Sequence, residues 1–124
     1  MGSYPSADLA YGIDLGLDEE VGRHSWFTDE LEEEHGSETK VLNALLKDVR
    51  GVGHLTYGNS ITGYTGLILC TQSVHAYAYD AVRVGIDQLT GTVEDDARLR
   101  AAWAVLYPDR LMPEPEWLMA ISYC

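Results

Sequence analysis

The sequence predicts an α+β fold: two helices cover one face of an antiparallel sheet in the order strand, helix, strand, strand, helix, strand. This is the split βαβ, or ferredoxin-like, pattern. Three observations point to it. Residues 65–86 form a long β-branched and aromatic run without proline, which reads as a central hairpin. Two segments with apolar stripes at helical spacing lie on either side of that hairpin. Short alternating segments occur near both ends of the chain.

Period-two reading of the hairpin puts Ile68, Cys70, Val74, Ala76 and Ala78 on one face and Thr71, Ser73, His75, Tyr77 and Tyr79 on the other, with only Gln72 out of place. The first set reads as core and the second as an open, polar-aromatic sheet face. Asp80 marks a turn, after which Val82, Val84 and Ile86 alternate as a return strand with Arg83 opposite. Val74, Tyr77, Ala78, Ala81, Val82 and Gly85 also fit a helical stripe; the β-forming run before them favours the hairpin.

In chain order, residues 1–8 read as a terminal segment with Pro5. Leu9, Tyr11, Ile13 and Leu15 alternate as a first strand, and Gly12 inside it implies a bulge or a close approach by another backbone. Val41, Leu42, Leu45, Leu46 and Val49 make a helical stripe with Ser37 as N-cap, and Gly51 or Gly53 as its stop. A short strand at 55–57 fits within the turn-rich connection that follows. Thr92 caps a second helix, with Glu94, Asp95 and Asp96 in its first turn, Leu99, Ala102, Trp103 and Leu106 as its apolar face, and Pro108 as its stop. Trp117, Met119, Ile121 and Tyr123 then alternate as a terminal strand.

A length of 124 residues, 46% of them hydrophobic, predicts a single domain over 1–124 with an acidic insertion at about 17–37. No apolar run reaches the ~18 residues that a membrane helix needs, and no secretory signal is read at the start. Cys70 and Cys124 show no metal-ligand spacing and read as reduced thiols, the state expected in a cytosol.

Charge is the unusual quantity. Twenty acids against eight bases give −12, which opposes direct binding to nucleic acid or to an anionic membrane. Residues 18–38 alone hold nine acids and one base. Clustered like charges read first as a solvated loop, anchored by Trp26 and Phe27. The functional reading is a docking surface for a basic protein, built from Asp29, Glu30, Glu32, Glu33, Glu34 and Glu38. Were 29–38 one helix, Glu30, Glu34 and Glu38 would stand about 6 Å apart along one face, near the spacing of nucleic-acid phosphates. Gly36 opposes a continuous helix.

Catalytic and cofactor motifs are searched for without result. Residues 51–53, Gly-Val-Gly, lack the third glycine and the preceding strand of a dinucleotide loop, and no lysine follows as a phosphate loop requires. Glu32 and His35 form a single Glu-x-x-His where a di-metal site needs two. Cys70 and His75 fall on opposite strand faces by parity, against a thiolate pair. No cofactor is expected. An enzyme would need distant residues, such as His75 with Asp14 or Glu20. Tyr77 and Tyr79 read as protein-contact or self-association candidates, because the RNA-recognition alternative has the wrong charge sign and lacks its sequence pattern.

Residues 9–16 (LAYGIDLG), 73–75 (SVH) and 117–123 (WLMAISY) resemble the landmarks of small acidic proteins encoded by actinobacterial phages. The resemblance implies an accessory or early gene product acting in a bacterial cytoplasm. It carries no activity to any residue. The functional expectations are therefore a binding protein acting through its acidic segment on a basic host or phage protein, including nucleic-acid mimicry against a host defence or nucleic-acid-handling factor; a virion or assembly component that self-associates; and an enzyme whose site the sequence does not display.

Overall fold

β1 (Pro5–Leu17) is the strand around which the others assemble, and in the computed structural model it pairs on both sides. The structure describes residues 5–17, 24–59, 64–78 and 81–123. After β1 come α1 (Asp29–His35), α2 (Glu38–Leu45), β2 (Gly53–Asn59), β3 (Tyr64–Tyr77), a 3-10 turn (Ile86–Gln88), α3 (Val93–Leu106) and β4 (Glu116–Tyr123). β1 runs antiparallel to β3 and β4, and β2 runs antiparallel to β3. β2 and β4 meet in parallel through Gly58–Ser122 and Asn59–Tyr123, which closes the four strands into a small mixed barrel.

The α+β class holds, while the ferredoxin-like arrangement is corrected. An open antiparallel sheet is replaced by a closed mixed one, and three helices rather than two are present among the described residues. The predicted return strand at 82–86 is not a strand. β2 pairs with β3 only as far as Cys70, residues 72–77 are bonded to β1 alone among the described residues, and 82–86 leads into the 3-10 turn at Ile86–Gln88 with Val82 and Ile86 exposed. The partner of β3 in the hairpin is β2, whose composition (GHLTYGN) carries little β signal. Residues 5–8 belong to β1 rather than to a terminal tail.

One bulge resets the faces of β3. Tyr11 faces Gln72 but Gly12 faces Cys70, so Thr71 is an extra residue. Gly12 sits where a Cβ would lie 1.7 Å from the Leu69 carbonyl oxygen, which is the close approach expected of this glycine. Beyond the bulge, Cys70, Ser73, His75 and Tyr77 share one face, aligned with Gly12, Ala10, Asp8 and Ser6 of β1. The uninterrupted alternation predicted for residues 68–78 is therefore corrected: Cys70 and His75 lie on the same side of the sheet.

Each sheet face has its own core. On the outer face, Tyr11, Ile13, Leu15, Leu67 and Leu69 pack against Val41, Leu42 and Leu46 of the α2 segment and Leu99, Ala102 and Leu106 of α3. The inner face is narrower. It holds Ala10, Ile68, Cys70 and Ala120, with Leu55, Tyr57 and Leu118 around them, because a four-stranded barrel leaves room mainly for small side chains.

Both longer helices are capped as predicted. Ser37 Oγ accepts from the Lys40 N–H, and Thr92 Oγ1 accepts from the Asp95 N–H at 3.0 Å. Gly51 adopts φ +75° after the α2 segment, the left-handed stop expected there. Asp95 also binds the sheet: its carboxylate accepts from Thr92 N–H, Thr92 Oγ1 and Gln72 Nε2 at 2.9–3.0 Å. Burial alone would raise the Asp95 pKa, but these hydrogen bonds outweigh it and hold the carboxyl below its ordinary value. The next residue, Asp96, accepts from Tyr11 Oη at 2.6 Å, and this bond, with burial, pushes the phenol up to about 12.

A Gly12→Ala chain is expected to lose about 3 kcal/mol or more of stability, read as a shift in the urea midpoint. An unchanged midpoint would show that β1 and β3 separate freely at the bulge.

Candidate interaction surfaces

The acidic insertion is anchored before it is charged. Trp26 is buried, and its indole N–H donates to Tyr107 Oη at 3.2 Å. Its ring stacks on His24 at 5.2 Å with planes 7° apart. Phe27 and Leu31 pack on the outer core. From this base Thr28 caps α1, its Oγ1 accepting from the Leu31 N–H, and the helix carries Asp29, Glu30, Glu32, Glu33 and Glu34, all exposed. Gly36, at φ +103°, ends it. The ordered helix replaces the solvated loop, and the break at Gly36 is the one its sequence implied.

α1 is held despite its own charges. Asp29, Glu30 and Glu32 lie in the first turn, where the helix dipole favours them. Asp29 with Glu33 and Glu30 with Glu34 are like-charge pairs at i, i+4, each opposing the helix by about 0.2–0.5 kcal/mol. His35 in the last turn approaches Glu34 at 3.8 Å. Glu38 belongs to α2, half-buried in its first turn. The predicted three-carboxylate row is thus broken after its second member. Five carboxylates on one short helix form the acidic surface, with Glu38 set apart.

The aromatic candidates separate. Tyr77 ends β3 and is 67% exposed; Tyr79 lies outside the described residues, as do Asp80, Glu20 and Cys124. The Tyr77 ring stands edge-on to His75 at 4.4 Å. His75 Nδ1 lies 2.7 Å from Asp8 Oδ1, so among the described residues its carboxylate partner is Asp8 and not Asp14. Asp14 is six residues along β1, about 20 Å away at strand rise, where it accepts from Tyr57 Oη at 2.8 Å. The Asp8–His75 contact was hidden from the sequence because residues 1–8 read as a tail.

Cys70 lies behind this pair in the barrel interior. Burial, reinforced by the Asp8 charge, pushes its thiol up to about 11, so the thiolate needed of a nucleophile or metal ligand is scarce at neutral pH. Among the described residues no group of three or more His, Cys, Asp or Glu side chains is placed to hold a metal ion, and no helix is long and apolar enough to cross a membrane.

A second surface is apolar. In register on the outer face, Met119, Leu9 and Val74 form one row across β4, β1 and β3, and Ile121, Ala7 and Ala76 form the next. Met119 is 72% and Ile121 50% exposed, because the helices cover the other end of this face. No family model, no curated protein and no solved structure matches the chain.

In a Cys124→Ser chain, Cys70 is expected to react with iodoacetamide at pH 8 about 100-fold more slowly than a thiol of ordinary pKa. Alkylation at the ordinary rate would place Cys70 in contact with solvent.

Proposed function

We propose that the protein is a small non-enzymatic binding protein that engages a basic protein through the exposed face of α1. The carrying observation is the retention of five carboxylates on a two-turn helix that they partly destabilise, fixed to the body by Trp26, Phe27, Leu31 and the Thr28 cap. The dipole accommodates the first three, whereas Glu33 and Glu34 add like-charge repulsion at i, i+4 and keep the whole exposed surface of one sign. The partner is a host or phage protein with a basic surface, and a nucleic-acid-handling protein fits that description because its phosphate-binding face carries the complementary charge. Such a role agrees with the accessory phage proteins that the sequence resembles, in a bacterial cytoplasm. Glu38 and Tyr77 lie outside the α1 surface and serve at most as peripheral contacts.

Affinity capture from bacterial lysate with a salt gradient tests this reading. A basic protein eluting at moderate salt, and lost from a Glu32→Lys, Glu33→Lys, Glu34→Lys chain while circular dichroism is unchanged, is the expected outcome. Retention of the same protein by the charge-reversed chain would refute it.

The apolar rows support a second reading, self-association of an assembly component. These rows carry no charged side chain and so offer two chains of −12 an uncharged surface on which to meet. Met119→Asp with Ile121→Asp is expected to abolish any concentration-dependent dimer seen by sedimentation. A chain monomeric at millimolar concentration leaves this reading without support.

A further inference from the structure

The last turns of α3 and the loop after it enclose a groove whose charge is opposite to that of the chain as a whole. Arg100, Trp103 and Tyr107 follow one another along one helix face, and the loop returns past them with Arg110, Leu111 and Glu114 to leave an open cleft of about 520 Å³. Its shape is fixed by hydrogen bonds. The Trp103 indole N–H donates to the Arg110 carbonyl at 2.8 Å, and the Arg110 N–H donates to the Tyr107 carbonyl at 3.1 Å. The Trp103 and Tyr107 rings pack at 4.5 Å, and the Arg110 guanidinium lies 5.4 Å from the Tyr107 ring centre.

Two of the eight bases thus face one cleft. Among the described residues neither Arg100 nor Arg110 has a carboxylate within 4.0 Å. Glu114 lines the same cleft without pairing with either. Leu111 on the loop wall is 96% exposed, an apolar side chain that contributes nothing to the core.

These features specify an occupant. At long range a chain of −12 repels an acid, so charge alone does not fill the cleft; the ligand must gain apolar contact as well. Trp103, Tyr107 and Leu111 offer that contact, and two guanidinium groups offer charge-assisted hydrogen bonds to carboxylates. A cleft open along its length suits an extended segment better than an enclosed small molecule. We propose that this groove binds a short acidic peptide segment of a partner protein, with one aromatic or aliphatic side chain against Trp103, Tyr107 and Leu111 and flanking carboxylates on Arg100 and Arg110. The site is independent of α1, which takes the opposite charge.

Fluorescence anisotropy with a fluorescein-labelled nine-residue peptide, one phenylalanine and one leucine among aspartates, tests this on the full chain at about 0.1 M salt. Saturable binding is expected, weakened about tenfold or more by Arg100→Glu with Arg110→Glu. Leu111→Ser, which leaves the core untouched, is expected to weaken it about threefold. Lys47→Glu makes the same charge change as either arginine substitution at an exposed site outside the groove and is expected to change it less than about twofold. Absence of saturable binding, equal weakening by Lys47→Glu, or displacement by benzoate or inorganic phosphate at concentrations that match the peptide each overturns the proposal. So does sedimentation showing that a second copy of the chain occupies the groove.

Discussion

Where β1 crosses β3 there is no space for a Cβ at Gly12, and the two backbones close on one another only because Thr71 is set aside as an extra residue. Much else follows from that crossing. It aligns Cys70 with Gly12 and returns His75 to the side of Asp8, so that a histidine and a buried carboxylate meet at 2.7 Å. It keeps the barrel narrow enough for Ala10 and Ala120 to fill it. Because the inner face is so small, most of the apolar side chains lie on the outer face, where α2 and α3 cover them.

α2, α3 and the two strands nearest the chain ends are legible in the sequence because their signals are local. Ser37 and Thr92 cap the helices that they were read to cap, and Leu9, Tyr11, Ile13 and Leu15 alternate as a strand does. The short strand read at 55–57 lies within β2, but its full length and its pairing with β3, like the absence of a strand at 82–86, have non-local causes. Val82, Val84 and Ile86 have the composition of a strand but lead into a 3-10 turn with Val82 and Ile86 exposed, while the glycine-rich β2 has a partner in β3 and needs little propensity of its own. A bulge likewise leaves no local mark other than Gly12, and without it the parity argument about Cys70 and His75 inverted. Of the candidate site, the acidic residues and their break at Gly36 were readable. The order of α1 was not, because it comes from Trp26, Phe27 and Leu31 reaching a core assembled from distant segments.

Charge is partitioned rather than spread. The carboxylates of α1 stand on a platform that is itself neutral and aromatic, and the indole of Trp26 joins that platform to Tyr107. The Arg110 guanidinium also lies against the Tyr107 ring, 5.4 Å from its centre. Surfaces of opposite sign are therefore tied to one aromatic centre, His24, Trp26, Trp103 and Tyr107, whose packing sets the position of both. Burial raises the Tyr107 phenol above its ordinary value, so its hydroxyl stays protonated at neutral pH.

The barrel is closed unevenly. β1 and β3 are zipped along nearly their whole length, whereas β2 and β4 touch through two residue pairs at one end. Such a ring behaves less like a hoop than like a clasp: thermal opening is concentrated at the short joint, while the long seam is shielded until the whole chain unfolds. When the clasp opens, β2 stays with β3 and β4 with β1, so the structure parts into two hairpin-like leaves that share the β1–β3 spine. Local opening there leaves both helices seated on the outer face of that spine.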